Sequence, residues 1–320
     1  MLAFDDLTYN QLEISAEYSS LLTVTIACLC ERYLHLPLSA NPLAFWRVLC
    51  TKMKSKVLST HDSKQQHILA GALGFTVLAL PFVAILYFLY NLAELHLVLD
   101  ALILFICLQY NHYRKTSKQI STALVAQKKQ LARDLLKTFT LRQTQTLSEL
   151  GIVKATIESL TLRFVYQQFT VIVIYVGFGI FPALIYRLLY EAQQVWSVKS
   201  ASTHFFGQCT YLISQTLQYL PTRVFNLLLV LFSFNQRAYS KFAQYLMNRT
   251  SWAPGGAATL SALSIALNVH TGGPVIRAGQ KVRRGRNVGD IEPQIKDIAN
   301  VSNLLDRCFL SLLLVFIFLI

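Results

Sequence analysis

Charged residues are scarce in this chain. Asp, Glu, Lys and Arg make up 14% of its 320 residues, where soluble domains average about 25%, so the sequence falls short of covering a water-exposed surface. Low charge combined with 54% hydrophobic residues excludes a disordered chain, a collagen-like repeat and a secreted disulfide scaffold. Lys and Arg are absent from the first twenty residues, which carry Asp5, Asp6, Glu13 and Glu17. With no basic stretch ahead of the first apolar run, a cleaved signal peptide is not expected. The six cysteines (28, 30, 50, 107, 209 and 308) form no CxxC and read as buried free thiols behaving as small hydrophobes. Seven scattered histidines form no HxxxH or HExxH, so no metal site is expected. The phosphate-loop pattern GxxxxGKS/T and the serine-hydrolase pattern GxSxG are also missing.

What is plentiful is apolar sequence in long blocks: Ser19–Leu34, Ile68–Tyr90, Leu92–Tyr110, Phe164–Tyr190, Phe205–Phe234 and Phe309–Ile320. Several approach the roughly 20 residues that span a bilayer. The expected fold is therefore all-α, a polytopic helical membrane protein with about six transmembrane helices. Four of these are of full length, and the first and last are short. Positive charge is distributed to match. Of 29 Lys and Arg, six lie in 31–66, ten in 111–163 and ten in 235–307, while the Tyr90–Leu92 connection has none and 187–205 has two. Basic and non-basic connections thus alternate, as the positive-inside rule requires. The net charge of +13 is explained without nucleic acid, and the partner it implies is the lipid bilayer.

The expected organisation is an acidic periplasmic N-terminus over 1–18 and a first membrane region over 19–110 with a basic cytoplasmic loop at 35–66. A basic cytoplasmic helical segment follows over 111–163, then a second membrane region over 164–234. A cytoplasmic Gly- and Arg-rich segment over 235–306 leads to a C-terminal membrane helix over 307–320. Both termini are expected outside, in the periplasm of a bacterial inner membrane.

Three places depart from a bland membrane scaffold. In 111–163, Ile120, Leu124, Leu131, Leu135 and Phe139 recur near helical spacing with Lys128, Lys129, Arg133 and Lys137 on other faces. That suits a helix lying along an anionic membrane surface, or a basic wall facing an anionic ligand. In 252–289, Trp252-Ala-Pro-Gly-Gly and Thr271-Gly-Gly-Pro mark loops. They precede Arg277, Lys281, Arg283, Arg284 and Arg286, a combination that binds phosphate or carboxylate, or serves as a solvated loop. Arg223 lies beside Pro221 within an apolar segment, where a buried arginine lines a cavity or pairs with an acid. Asp100 is the obvious intramembrane acid.

Short motifs then line up in order: Ala132-Arg133, Leu141-Arg142-Gln143-Thr144, Lys154-Ala-Thr-Ile-Glu158-Ser-Leu160, Pro182-Ala-Leu-Ile-Tyr186-Arg187, Lys199, Phe206-Gly207, Tyr219-Leu-Pro-Thr-Arg223, Gly272-Gly273-Pro274 and Gly289-Asp290. The set resembles the CobD/CbiB family of cobalamin biosynthesis, the adenosylcobinamide-phosphate synthases. The resemblance implies an integral membrane, ATP-dependent amide ligase joining aminopropanol, or its phosphate, to a carboxylate of adenosylcobyric acid. It also implies ATP and Mg as cofactors, and a corrinoid or another corrin-pathway protein as partner. Carried over, it implies Glu158, Arg142 and Thr144 as catalytic residues. Arg133, Lys199, Arg223, Gly272, Gly273 and Asp290 are then the ligand-binding residues.

The acidic side of the family pattern departs here. Its Gly-Arg-Asp-Thr is Leu141-Arg142-Gln143-Thr144, its Asn-Thr-Leu-Asp is Tyr190-Glu191-Ala192-Gln193, and its Asp-Asp pair is Ser214-Gln215. Glu158 and Asp290 are the acids that match. The stretch Cys30-Glu31-Arg32-Tyr33-Leu34 is similar to AmpE-type inner-membrane proteins, which implies the alternative of a non-catalytic sensor or assembly protein.

Overall fold

The computed structural model describes residues 19–34, 40–58, 63–138, 140, 142–234, 236–247, 255–277, 280–282, 284–287 and 289–319. The acidic stretch 1–18, Phe139, Leu141, Trp252 and Arg283 lie outside the described residues, as do the side chains of Arg277 and Lys281. The chain divides into two compact units. The first runs up to Gln109 and adds Val171–Ser214 and the chain from Leu310 on; the second comprises Tyr110–Thr170 and Gln215–Phe309. The described residues are helical almost throughout. The departure is a hairpin of β1 (Val275–Arg277) and β2 (Gln280–Val282), paired antiparallel.

In the first unit, α1 covers 19–33, α2 is Pro42–Val57, α3 Lys64–Leu92 and α4 His96–Cys107. Local chemistry sets their starts. The Asn41 side chain accepts from the Leu43 N–H ahead of Pro42. Ser63 and Gln66 form a reciprocal capping box that opens α3. α3 is 29 residues long, about 43 Å at 1.5 Å per residue. Leu69, Leu73, Val77, Leu80, Ile85 and Phe88 stand exposed along it, an apolar face of the kind that lipid covers.

The apolar block Phe164–Tyr190, expected as one span, is two helices. A helix continuous from Glu149 ends at Phe178, Gly179 takes φ +86°, and α9 (Ile180–Val195) follows. In the first unit α9 runs antiparallel to α3. Phe181, near its start, meets the rings of Tyr87 and Tyr90 at the far end of α3. Beyond its end, the Phe206 carbonyl approaches Gly71 so closely that a Cβ there would lie 1.9 Å from the oxygen. Trp46 donates to the Leu188 carbonyl (3.1 Å) and Trp196 to that of Cys50 (2.9 Å), tying α2 to α9. The stretch 187–207 therefore packs beside α2 and the Lys64 end of α3, because the backbone turns at Gly179.

Two further expectations change. Leu92–Tyr110 contains a helix of 12 residues, α4, about 18 Å long. The C-terminal helix begins at Ile295 and has 25 residues, well ahead of the apolar tail. Among the described residues, two helices are long and apolar enough to cross a membrane: Lys64–Leu92 and Glu149–Phe178. In the latter the charge-free run starts at Phe164, and the charged residues Glu149, Lys154, Glu158 and Arg163 all precede it.

The second unit packs α5 (Tyr110–Val125), α6 (Lys129–Lys137) and α7 (Glu149–Phe164) with α11 (Gln236–Met247), α12 (Gly256–Leu267) and most of α13 (Ile295–Leu319). Helices α8 (Thr170–Phe178) and α10 (Gln208–Leu231) complete the chain. The helical segment expected over 111–163 comprises three helices, with a turn at Gln127 (φ +58°) between the first two. Ile120 and Leu124 are buried, whereas Leu131 is exposed. A π-helical turn, Val165–Phe169, follows α7. It brings Phe164 and Phe169 against Phe225 of α10, which passes through Pro221 unbroken.

Candidate functional site

The turn between α6 and α7 carries Arg142, and its shape is set by its neighbours. Arg133 on α6 donates through Nε (3.1 Å) and Nη2 (2.8 Å) to the Leu147 carbonyl. The Thr144 carbonyl accepts from the Leu147 N–H, and the Ser148 hydroxyl caps α7 by accepting from Gly151. Gln143 N–H donates to the Ile276 carbonyl of β1 at 3.1 Å, which joins this turn to the glycine-rich segment.

Glu158 on α7 is fully buried and sits where these pieces converge. Its Oε1 accepts the Gly272 backbone N–H at 2.7 Å. Its Oε2 accepts Arg284 Nη2 at 3.0 Å and a very close Arg142 Nη2. Arg284 also donates through Nε to the Gly273 carbonyl (3.3 Å). Gly272 and Gly273 take φ +78° and +96°, the left-handed region open to glycine. They turn the backbone so that an N–H reaches the carboxylate. Behind them Asn287 donates to Thr271 Oγ1 (2.8 Å), Ser261 donates to Asn287 Oδ1 (2.9 Å), and Thr271 donates to the Leu260 carbonyl (3.1 Å).

Charge around this hub is unbalanced. Arg286 pairs closely with Glu292, and Lys154 lies 3.7 Å from the same carboxylate. Four cations therefore face two carboxylates, a net charge of +2. Burial pushes the Glu158 carboxyl up; Arg142 first, then Arg284, outweigh it and hold the group below the usual carboxylate range. Burial lowers the Lys154 ammonium, and Arg286 beside it adds to the shift. Arg142 and Arg284 keep 13% and 27% of their side-chain surface accessible. Glu158 thus serves as a buried anchor that aims two guanidinium groups, and both its oxygens are engaged.

The residues singled out in the sequence fall into three groups. Arg142, Glu158 and Gly272 are in direct contact, with Gly273 one residue on. Arg133 and buried Thr144 shape the turn that carries Arg142. The others lie elsewhere. Asp290 pairs with Lys241 at 3.0 Å. Lys199 belongs to the first unit. Arg223 stacks 4.9 Å over the ring of Tyr219 and, with Tyr166, Gln215, Gln218, Thr222 and Gly255, lines a small pocket in the second unit. Asp100, in the first unit, accepts from Tyr175 at 3.4 Å. Arg284 and Lys154 were not singled out as site residues. Arg284 stood in the basic run, but its sequence distance from Glu158 gave no sign of contact.

A family model described as CobD/CbiB protein matches residues 24–305. The chain belongs to the CobD/CbiB family. It is 24% identical over 292 residues to the cobalamin biosynthesis protein CobD of Chromobacterium violaceum, covering 90% of this chain and 93% of that one. It is 29% identical over 208 residues to the protein of the same name from Leptospira interrogans, covering 63% of this chain and 64% of the relative. No solved structure matches. Membership in the CobD/CbiB family carries a role in cobalamin biosynthesis.

ATP and Mg, which the CobD/CbiB resemblance implies, fit this site unequally. A basin of charge +2 built from guanidinium groups suits a polyphosphate. Mg²⁺ does not fit at Glu158, whose two oxygens are already taken by two arginines and a backbone N–H. Among the described residues no three His, Cys, Asp or Glu side chains are grouped to hold a metal ion.

Proposed function

We propose that the chain acts in the membrane at the amide-forming step of cobalamin biosynthesis, joining aminopropanol or its phosphate to adenosylcobyric acid. The observation that carries this reading is the pair Arg142 and Arg284, aimed by one buried carboxylate within a basic basin. In it these arginines, with Lys154, take the anionic groups of the substrates: the phosphate of aminopropanol phosphate, a corrin carboxylate, or a nucleotide phosphate. ATP, when bound, supplies the phosphoryl group that activates the carboxylate. The residues of this chain bind and orient; two fixed guanidinium groups hold a phosphate or carboxylate with the geometry that bidentate contacts impose. No step is assigned to Glu158 as a base, because Arg142 and Arg284 keep it ionised and occupied.

The membrane setting rests on the exposed apolar face of α3 and the second long apolar helix. With 187–207 packed beside α2, this segment belongs with the basic segments on the cytoplasmic side of a bacterial inner membrane, where positive charge collects.

One observation favours a second reading. Gln143, Gln193, Ser214 and Gln215 stand where the family pattern carries acids, and Glu158, a matching acid, is paired with two arginines. A non-catalytic member that binds a corrinoid acid or a pathway partner would keep the basin and dispense with those carboxylates.

Complementation decides between them. The chain is expressed in a bacterium lacking its own adenosylcobinamide-phosphate synthase, given cobyric acid, and scored for cobalamin-dependent growth, with cobinamide as the bypass control. Growth that disappears with Arg142→Ala supports the ligase reading. No growth, with the protein present in the membrane and the bypass intact, supports the second.

A further inference from the structure

We infer that the first unit holds an oxyanion site, between α2 and α9, that takes a phosphate group. Arg187 and Glu191 are four residues apart and share a face of α9. Arg187 is fully buried, and Gln109, just beyond α4, is 6% exposed. Arg187 Nη2 donates to Gln109 Oε1 (3.0 Å) and pairs with Glu191 Oε1 at 2.8 Å. Arg47 Nε, on α2, donates to the Leu43 carbonyl (3.3 Å) and lies 3.2 Å from Glu191 Oε2 as an ion pair.

In this arrangement each Glu191 oxygen faces one arginine and Gln109 Oε1 accepts from Arg187. Yet Arg187 Nε and Nη1, Arg47 Nη2 and Gln109 Nε2 are buried without a partner. Flipping the Gln109 amide gives no relief, since its NH₂ group would then face Arg187, which has no acceptor. The four side chains carry two positive charges and one negative. The surplus is all of one kind: a unit of positive charge and buried N–H donors from three side chains.

Water answers only part of that demand, because it leaves the charge uncompensated. A phosphate group answers both, offering negative charge and several acceptor oxygens. Access is from the α2 side, where Arg47 keeps 30% of its side-chain surface accessible. Phe45 and Val48 are exposed on the same helix, and Lys52 follows them. A phospholipid headgroup or a soluble phosphate presents the same chemistry there.

The full-length chain, purified in neutral detergent and stripped of lipid, is melted in two series. One raises inorganic phosphate against chloride at equal ionic strength; the other adds phosphatidylglycerol against phosphatidylcholine. A saturable rise in melting temperature with inorganic phosphate identifies a soluble phosphate. A rise with phosphatidylglycerol alone identifies a lipid headgroup. No rise in either series overturns the inference.

Two variants tie the response to this place. Arg47→Gln, partly exposed and expected to fold, should weaken the apparent affinity about tenfold or more, the effect of one charged hydrogen bond. Gln109→Glu gives Arg187 an internal carboxylate; it should melt higher in chloride and lose the response. A Gln109→Glu protein that responds as the wild type does would place the anion elsewhere and overturn the assignment.

Discussion

The Gly272 backbone N–H donates to Glu158 Oε1 at 2.7 Å across 114 residues of chain. That bond, with Arg142 and Arg284 on the other oxygen, closes three separate stretches of the second unit around one carboxylate. Removing one partner of a buried ion pair costs far more than the pair contributes, because the remaining charges lose their counterion.

Glu158→Gln follows directly. Two partly buried guanidinium groups would then face a neutral amide, so the variant should lose about 3–5 kcal/mol of stability. Denaturant unfolding in detergent micelles measures this. A loss below about 1 kcal/mol, the level of an exposed pair, would show that the carboxylate is not the hub of this unit.

The two neighbouring glycines should respond differently to the same change. At Gly272 a Cβ would lie 2.5 Å from the Gly285 carbonyl, on top of a φ of +78°. At Gly273 φ is +96° but nothing lies within 4 Å. Gly273→Ala should therefore cost only backbone strain, about 1–3 kcal/mol. Gly272→Ala should cost clearly more and displace the N–H from Glu158. Melting temperatures of the pair, compared side by side, check the order; equal losses would mean that the segment shifts to make room.

Acid should loosen the same hub. The Glu158 carboxyl is held below its ordinary value of 4.5 in the folded chain. A depressed folded value stabilises above the unfolded value and ceases to do so as pH falls through the folded one. This contribution is thus fully present above about pH 4.5 and fades at lower pH. The stability difference between wild type and Glu158→Gln should shrink through that window. A difference that stays constant from neutral pH down to about pH 3 would contradict the depressed carboxyl.

Much of this was legible in the sequence, and the losses have specific causes. The apolar block Ile68–Tyr90 announces α3, because hydropathy acts locally. Arg142 and Glu158 were both singled out by motif, yet sixteen residues of spacing say nothing of contact. Arg284 was hidden for the same reason, since its partner lies 126 residues away. Gly179 misled differently. Glycine is common in apolar spans, so Phe164–Tyr190 read as one helix. The backbone instead turns there, with Pro182 in the first turn of α9, where proline is tolerated. That single break moves 187–207 to the side of α2 and makes neighbours of Arg47 and Glu191.

That placement makes a prediction in the first unit. Gly71→Ala would drive a Cβ to 1.9 Å from the Phe206 carbonyl oxygen, a backbone atom that cannot swing aside. Overpacking of this kind costs about 1–3 kcal/mol and more where the backbone is fixed. Gly177→Ala, in α8 with nothing within 4 Å, is the control and should be neutral or gain up to about 1 kcal/mol of helix propensity. Both are read by thermal unfolding of the purified chain. If Gly71→Ala melts with the wild type, Phe206 does not rest on α3. The return of 187–207 to the side of α2, on which the oxyanion site between Arg47 and Arg187 depends, would then lose one of its three ties.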